Sequence, residues 1–154
     1  MNKSLDRFGK GMVVLVLIIL AVSLQGQEIF IWFGVKPNLI LAVLIASALV
    51  LDFSWYLTLL VIGSLGIEFY PGIGRLTVSM LIAGALIFWL RKRFLAGGAV
   101  ALLILSIIGT SAVYLILNPS FIFEHFSIFI IEAIYNLIVS VLVFLLLLYI
   151  FDDK

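Results

Sequence analysis

Long apolar runs broken by short polar punctuation make up nearly the whole chain. The runs cover residues 12–24, 29–51, 55–69, 73–90, 95–117 and 127–151. Between them stand Gln25-Gly26-Gln27-Glu28, Asp52-Phe53-Ser54, Tyr70-Pro71-Gly72, Arg91-Lys92-Arg93 and Asn118-Pro119-Ser120. Membrane β-strands alternate lipid-facing and lumen-facing residues; these runs are almost continuously apolar and lack that alternation. They predict helices, and runs of this length predict helices that cross a bilayer, which needs about 20 apolar residues per crossing. The expected fold is all-α: one integral-membrane domain over 1–154, built as a compact bundle of six transmembrane helices. The first run, at 1.5 Å per residue, reaches about 20 Å against a hydrocarbon core of about 30 Å, so Lys10 and Gln25 must snorkel outward. In the second, Gly34, Lys36 and Pro37 interrupt the pattern. This makes 39–51 its helical core and 29–33 an interfacial lead-in, with Pro37 at or near the first helical position. Ser54 is placed to cap the third helix.

One break is weak. Asp52 inside a single longer helix would leave five spans, and charge decides between five and six. Basic residues flanking spans stay on the cytoplasmic side. Lys3, Arg7 and Lys10 precede the first run, and Arg91, Lys92 and Arg93 follow the fourth. Both clusters are cytoplasmic only if an even number of spans separates them. Six spans meet that condition, put Lys154 inside with them, and leave Lys36 and Arg75 outside. The expected location is the inner membrane of a bacterium, multi-pass, with both termini cytoplasmic. A second reading of the first run is a signal peptide cut after Ala21-Val22-Ser23, which would give a mature chain starting near Leu24.

Composition closes off the soluble alternatives. Of 154 residues, 66% are hydrophobic and 11% charged, where a soluble domain has roughly 45–50% and about 25%. The net charge of +1 offers nucleic acid no electrostatic footprint. With no cysteine and a single histidine, His125, neither a thiolate site nor a multi-histidine metal site can be assembled. No nucleophile elbow or phosphate-binding loop is present. No catalytic residue, metal or cofactor is therefore expected.

The few polar residues inside the runs carry the functional reading, because an ionisable group in lipid is costly. Glu132 and Asn136 stand four apart on one helical face, with Ser140 extending the stripe. They form either a polar pocket or partner-docking site, or a paired acid with an interhelical tie. Glu68 and Arg75 flank Pro71-Gly72 at the outer rim. Lys36-Pro37-Asn38 opens a helix. Ala42 with Ala46, and Ser79 with Ala83, have the spacing that lets helix backbones approach closely; Ala42, Ala46 and Gly63 are the expected packing positions.

The order of these features resembles the rod shape-determining protein MreD family. The residues that carry the resemblance are Gly34-Val35-Lys36-Pro37-Asn38-Leu39-Ile40-Leu41, then Gly63-Ser64-Leu65-Gly66-Ile67-Glu68, the turn Pro71-Gly72-Ile73-Gly74, and Glu132-Ala133-Ile134-Tyr135-Asn136-Leu137. The family pattern has Pro-Asp-Leu-Leu opening a helix; Asn38 stands here in the acidic place, and Glu68 approximates the family's aspartate. The resemblance implies a non-catalytic scaffold of the cell-elongation and peptidoglycan-synthesis machinery, working with MreC, the actin-like MreB and the peptidoglycan synthases. It also implies a fold like the substrate-binding subunits of energy-coupling-factor transporters, with Glu132 and Asn136 facing a central cavity and Pro37-Asn38 at its rim. That likeness supplies the alternative function, a substrate-binding membrane subunit for a vitamin or other small molecule. The first run has one alanine, Ala21, where those subunits present an Ala-x-x-x-Ala docking contact.

Overall fold

The computed structural model describes residues 3–27, 31, 34–67, 74–93 and 98–152. Among them the chain forms α1 (Lys3–Gln25), α2 (Leu39–Ala48), α3 (Phe53–Ile67), α4 (Arg75–Arg91), α5 (Gly98–Leu117), α6 (Pro119–Glu124) and α7 (Phe126–Asp152). No β-ladder runs through the described residues. Three helical stretches are long and apolar enough to cross a membrane: Asp6–Gln25, Gly98–Leu117 and Phe126–Phe151. At 10, 15 and 17 residues, α2, α3 and α4 extend about 15, 22 and 26 Å, shorter than a full hydrocarbon core.

Polarity is arranged for lipid. The hydroxyls and amide of Ser47, Ser64, Thr77, Ser79, Ser106, Thr110, Asn136 and Ser140 are buried, while Val16, Ile19, Leu103, Ile107, Ile138, Leu142 and Leu145 point outward. Water would demand the reverse, since an exposed apolar surface of this extent is unfavourable in it. In lipid, tails solvate leucine as well as a core does, and helices associate through packing and hydrogen bonds instead.

Interhelical contacts fix the directions. Gly11 lies against the indole of Trp55, Gly63 against Ile18 and Ile40, and Gly66 against Val22, so α1 and α3 run parallel and in close approach. At Gly66 a Cβ would come within 2.7 Å of Val22 Cγ2, a branched side chain with little rotamer freedom to give way. Tyr56 stacks on Phe88 at 4.8 Å and donates a hydrogen bond to the Gly84 carbonyl at 3.0 Å, which sets α4 antiparallel to α3. Contacts of Tyr114 with Glu132, Thr110 with Asn136, and Gly98 with Phe144 make α7 antiparallel to α5. The six longer helices therefore alternate in direction through the bundle.

At the centre lies α2. All ten of its residues are buried, and α1, α3, α4, α5 and α7 surround it. Ala42 and Ala46, the expected packing positions, are both fully buried here, and Gly63 faces Ile40 of the same helix.

Three local readings change. The second helix ends at Ala48 and not at 51; its last turns close through Leu49 and Leu51 amides bonded to Ala46 and Ser47 carbonyls. The cap of α3 is Asp52 and not Ser54: Asp52 Oδ1 accepts from the Trp55 amide at 3.2 Å, and its carbonyl accepts the first helical bond from Tyr56, which puts Ser54 inside the first turn. Residues 119–124, expected as loop, form α6 with Pro119 in its first turn, where a fixed φ favours a helix start. Phe121 of that turn stacks flat on Tyr114 at 4.6 Å and 5°.

Candidate functional site

The N-terminus of α2 lies well inside the bundle. It meets α7 at Asn136, ten residues past the start of a helix that begins at Phe126, or about 15 Å along its axis. Chain leading into α2 is non-helical at this depth, and non-helical backbone is tolerated in a membrane only where its polar groups find protein partners. Here they do. The Asn38 amide donates to Asn136 Oδ1 at 2.7 Å, and the Leu39 amide to Gln25 Oε1 at 2.7 Å. Asn38 Oδ1 accepts from the Leu41 amide at 3.0 Å, the N-cap bond of the helix. Gln25 Nε2 donates to the Pro37 carbonyl at 3.3 Å, and Lys36 Nζ to the Gln25 carbonyl. Pro37 sits one position before the cap, not at the first helical position, with Asn38 as the cap itself. Gly34, at φ +75°, turns the chain into this segment.

Asn136 ties three helices. Its Oδ1 holds the Asn38 amide, its Nδ2 donates to Thr110 Oγ1 of α5 at 3.0 Å, and its backbone carbonyl accepts from Ser140 Oγ at 2.6 Å. Ser140 Oγ also lies 3.2 Å from the Ala42 carbonyl. The pairs 38 with 136 and 42 with 140 keep one register over a full turn, so α2 and α7 run parallel along a shared polar seam. Glu132 continues the stripe toward the end away from the basic clusters. It is half-buried, accepts from the Tyr114 hydroxyl, and has the Asn136 amide close by.

The opposite end of α2 is held by a cation. One guanidinium nitrogen of Arg91 donates to the Ala48 carbonyl and, at 2.6 Å, to the Leu51 carbonyl. The Ala48 carbonyl is one that a helix C-terminus leaves without an intrahelical donor, the Leu51 carbonyl belongs to the turn that follows, and a positive charge there also complements the helix dipole. The guanidinium lies 3.7 Å above the Phe88 ring. Around it gather Arg7, 3.8 Å from Asp52, and Lys10, 5.3 Å from the centre of the Phe151 ring. Arg7, Lys10, Arg91, Lys92 and Arg93 thus share one end of the bundle, although they come from distant parts of the sequence.

The chain matches no protein-family model, no curated protein and no solved structure. Function therefore rests on the residues themselves. Of the five expected binding residues, the structure brings Pro37, Asn38, Asn136 and Glu132 into one seam; Glu68 lies outside the described residues. Of the topology residues, Lys3 heads α1, and its side chain lies outside what is described. Sequence reading missed Gln25, Thr110 and Tyr114 as members of the seam. Gln25 is a polar residue at a span end, and Thr110 is one of three serine or threonine hydroxyls in its run, with Ser106 and Ser111, so nothing local marks either as a partner. Among the described residues no three His, Asp or Glu side chains converge as a metal site would require.

Glu132 and Asn136 should separate on mutation. Glu132→Leu removes a half-buried group whose partners reach the bundle's edge, and the expected loss is about 0.6 kcal/mol, the average for an interhelical hydrogen bond in a membrane. Equilibrium unfolding in detergent micelles measures it. A loss above about 3 kcal/mol would mean that the seam depends on its outer end as much as on its buried one.

Proposed function

We propose that this chain is a six-pass membrane protein with both termini in the cytoplasm, acting as a non-catalytic scaffold of the bacterial cell-elongation machinery. Its partners on this reading are MreC, MreB and the peptidoglycan synthases, as the resemblance of its motifs to the MreD family suggests. The observation that carries the reading is the seam. Asn38 and Asn136, which a ligand-binding subunit would aim into a cavity, bond to each other, to the first turn of α2 and to α5. Their donors and acceptors go to fixing a central helix rather than to a solute. A bundle braced in this way presents stable outer faces, and stable faces are what a scaffold offers to other membrane helices.

The gathering of Arg7, Lys10, Arg91, Lys92 and Arg93 at one end supports the orientation, since basic residues of short loops stay cytoplasmic. The alternating directions of α1 to α5 and α7 support six passes, with the short helices matched by local bilayer thinning. A transporter subunit is the second reading. In its favour, α2 begins inside the bundle as the broken helices of transporters do, where their free N-termini receive anionic solutes.

Gentle-detergent copurification of the native protein, with mass spectrometry of partners and small molecules, separates the two. The expected result is recovery of a coiled-coil partner together with cell-wall synthases. Recovery of an ATPase pair with a bound vitamin would overturn the scaffold reading in favour of the transporter one.

A further inference from the structure

A lateral groove between α3 and α4 lies outside the seam. It encloses about 500 Å³ and is lined by Phe53, Tyr56, Leu57 and Leu60 on one side and by Ala85, Phe88 and Trp89 on the other, with Lys92 and Arg93 at one end. Its volume falls within the range of roughly 300–1,000 Å³ typical of small-molecule sites. Phe53, Leu57, Ala85 and Trp89 are exposed along it, so it opens sideways toward the surrounding lipid. Small Ala85 and the carbonyl-bonded Tyr56 leave the trough between the two helices.

The charges at its end are free. Arg91 is engaged with the Ala48 and Leu51 carbonyls, whereas Lys92 and Arg93 are exposed and neither pairs with a carboxylate among the described residues. Among the described residues no acid lines the groove. Arg93 lies 4.8 Å from the centre of the Trp89 ring, which holds the guanidinium over the mouth. An apolar trough ending in two unpaired cations matches an amphiphile with an acyl tail and an anionic head. Membrane leaflets supply that molecule at high local concentration, and each basic residue near a surface adds attraction for it.

We propose that the α3–α4 groove is a binding site for an anionic phospholipid, with an acyl chain along Leu57, Leu60 and Ala85 and the phosphate between Lys92 and Arg93. The site is independent of which partners the protein recruits. The experiment is native mass spectrometry of the full chain released from micelles containing equal amounts of phosphatidylglycerol and phosphatidylcholine. The wild-type chain should retain phosphatidylglycerol preferentially. The K92Q/R93Q double variant should lower that retention on the order of thirty-fold, at about fivefold per cation, and leave phosphatidylcholine unchanged. R7Q, an exposed cation at the same end but outside the groove, should retain both lipids as the wild type does.

Ala85→Phe fills the trough while keeping both cations and should reduce retention of phosphatidylglycerol. Should that variant misfold, the exposed K92Q/R93Q pair still decides the matter. Equal retention of the two lipids by the wild type, undiminished retention by K92Q/R93Q, or an equal loss in R7Q would each overturn the proposal. The last of these would trace the preference to general surface charge.

Discussion

Replacing Asn136 with leucine is expected to lower the unfolding free energy by about 3 kcal/mol, although the substitution makes a lipid-embedded helix more apolar. The reason is what the asparagine leaves behind. Its Oδ1 is the acceptor of the Asn38 amide and its Nδ2 the donor to Thr110, and Asn136 and Thr110 are both buried. A single interhelical hydrogen bond in a membrane averages only about 0.6 kcal/mol, with a maximum near 1.7. That average reflects an unfolded reference in which the partners bond elsewhere. The freed Asn38 amide is part-buried and loses its acceptor, and a buried donor without a partner costs about 1–3 kcal/mol.

Thr110→Val removes one of the two bonds and keeps the Asn38 amide satisfied, so its expected cost is about 1 kcal/mol. Denaturation of the three proteins in the same micelles gives the comparison. Equal, small losses for both variants would mean that the amide of Asn38 has found another acceptor, and that Asn136 is replaceable packing. A large loss confined to N136L is the expected result. It would tie stability to the start of α2 rather than to helix contacts in general.

Much of this architecture was legible in the run pattern, and the limits of legibility have physical causes. The end of α1 and both ends of α4, α5 and α7 follow hydrophobic runs because in lipid the apolar length is itself the constraint on a helix, whereas α1 begins at Lys3, ahead of its run, in charged sequence that the run pattern does not mark. Asn38 and Asn136 were both picked out as polar exceptions, and they prove to be partners. Nothing in sequence, however, relates positions 98 residues apart, and a single chain without periodic repeats offers no register between its second and last helices. Gln25 illustrates the same limit. As the first polar residue after an apolar run it has an adequate local explanation, snorkelling. Its bonds to Pro37 and Leu39 depend on α1 ending where α2 begins. The brevity of α2 was half visible: Pro37 marks its beginning, but nothing between Leu39 and Leu51 marks its end at Ala48. The side chain that closes it is Arg91, 43 residues away.

Arg91 therefore carries two duties that ordinary topology arguments merge, and substitution can separate them. On the proposed topology, it is one of three consecutive cations that hold their loop in the cytoplasm. As a donor to Ala48 and Leu51 it closes the central helix. Arg91→Leu should lower stability by about 2–4 kcal/mol, because two charge-assisted hydrogen bonds at about 1.5–3 kcal/mol each are lost and water at the bundle end recovers part of the difference. Topology should survive, since Lys92 and Arg93 remain. Arg91→Lys keeps the charge but not the planar group that rests on Phe88, so it should recover less than half of the loss. K92Q/R93Q should do the opposite, leaving stability within about 0.5 kcal/mol of wild type as exposed substitutions usually do, while weakening orientation. Unfolding in micelles reads the first quantity, and a reporter fused after Lys154 reads the second. If R91L were as stable as wild type, or R91K fully restored it, the carbonyls at the end of α2 would be satisfied by solvent. In that case the central helix would be held from its asparagine end alone.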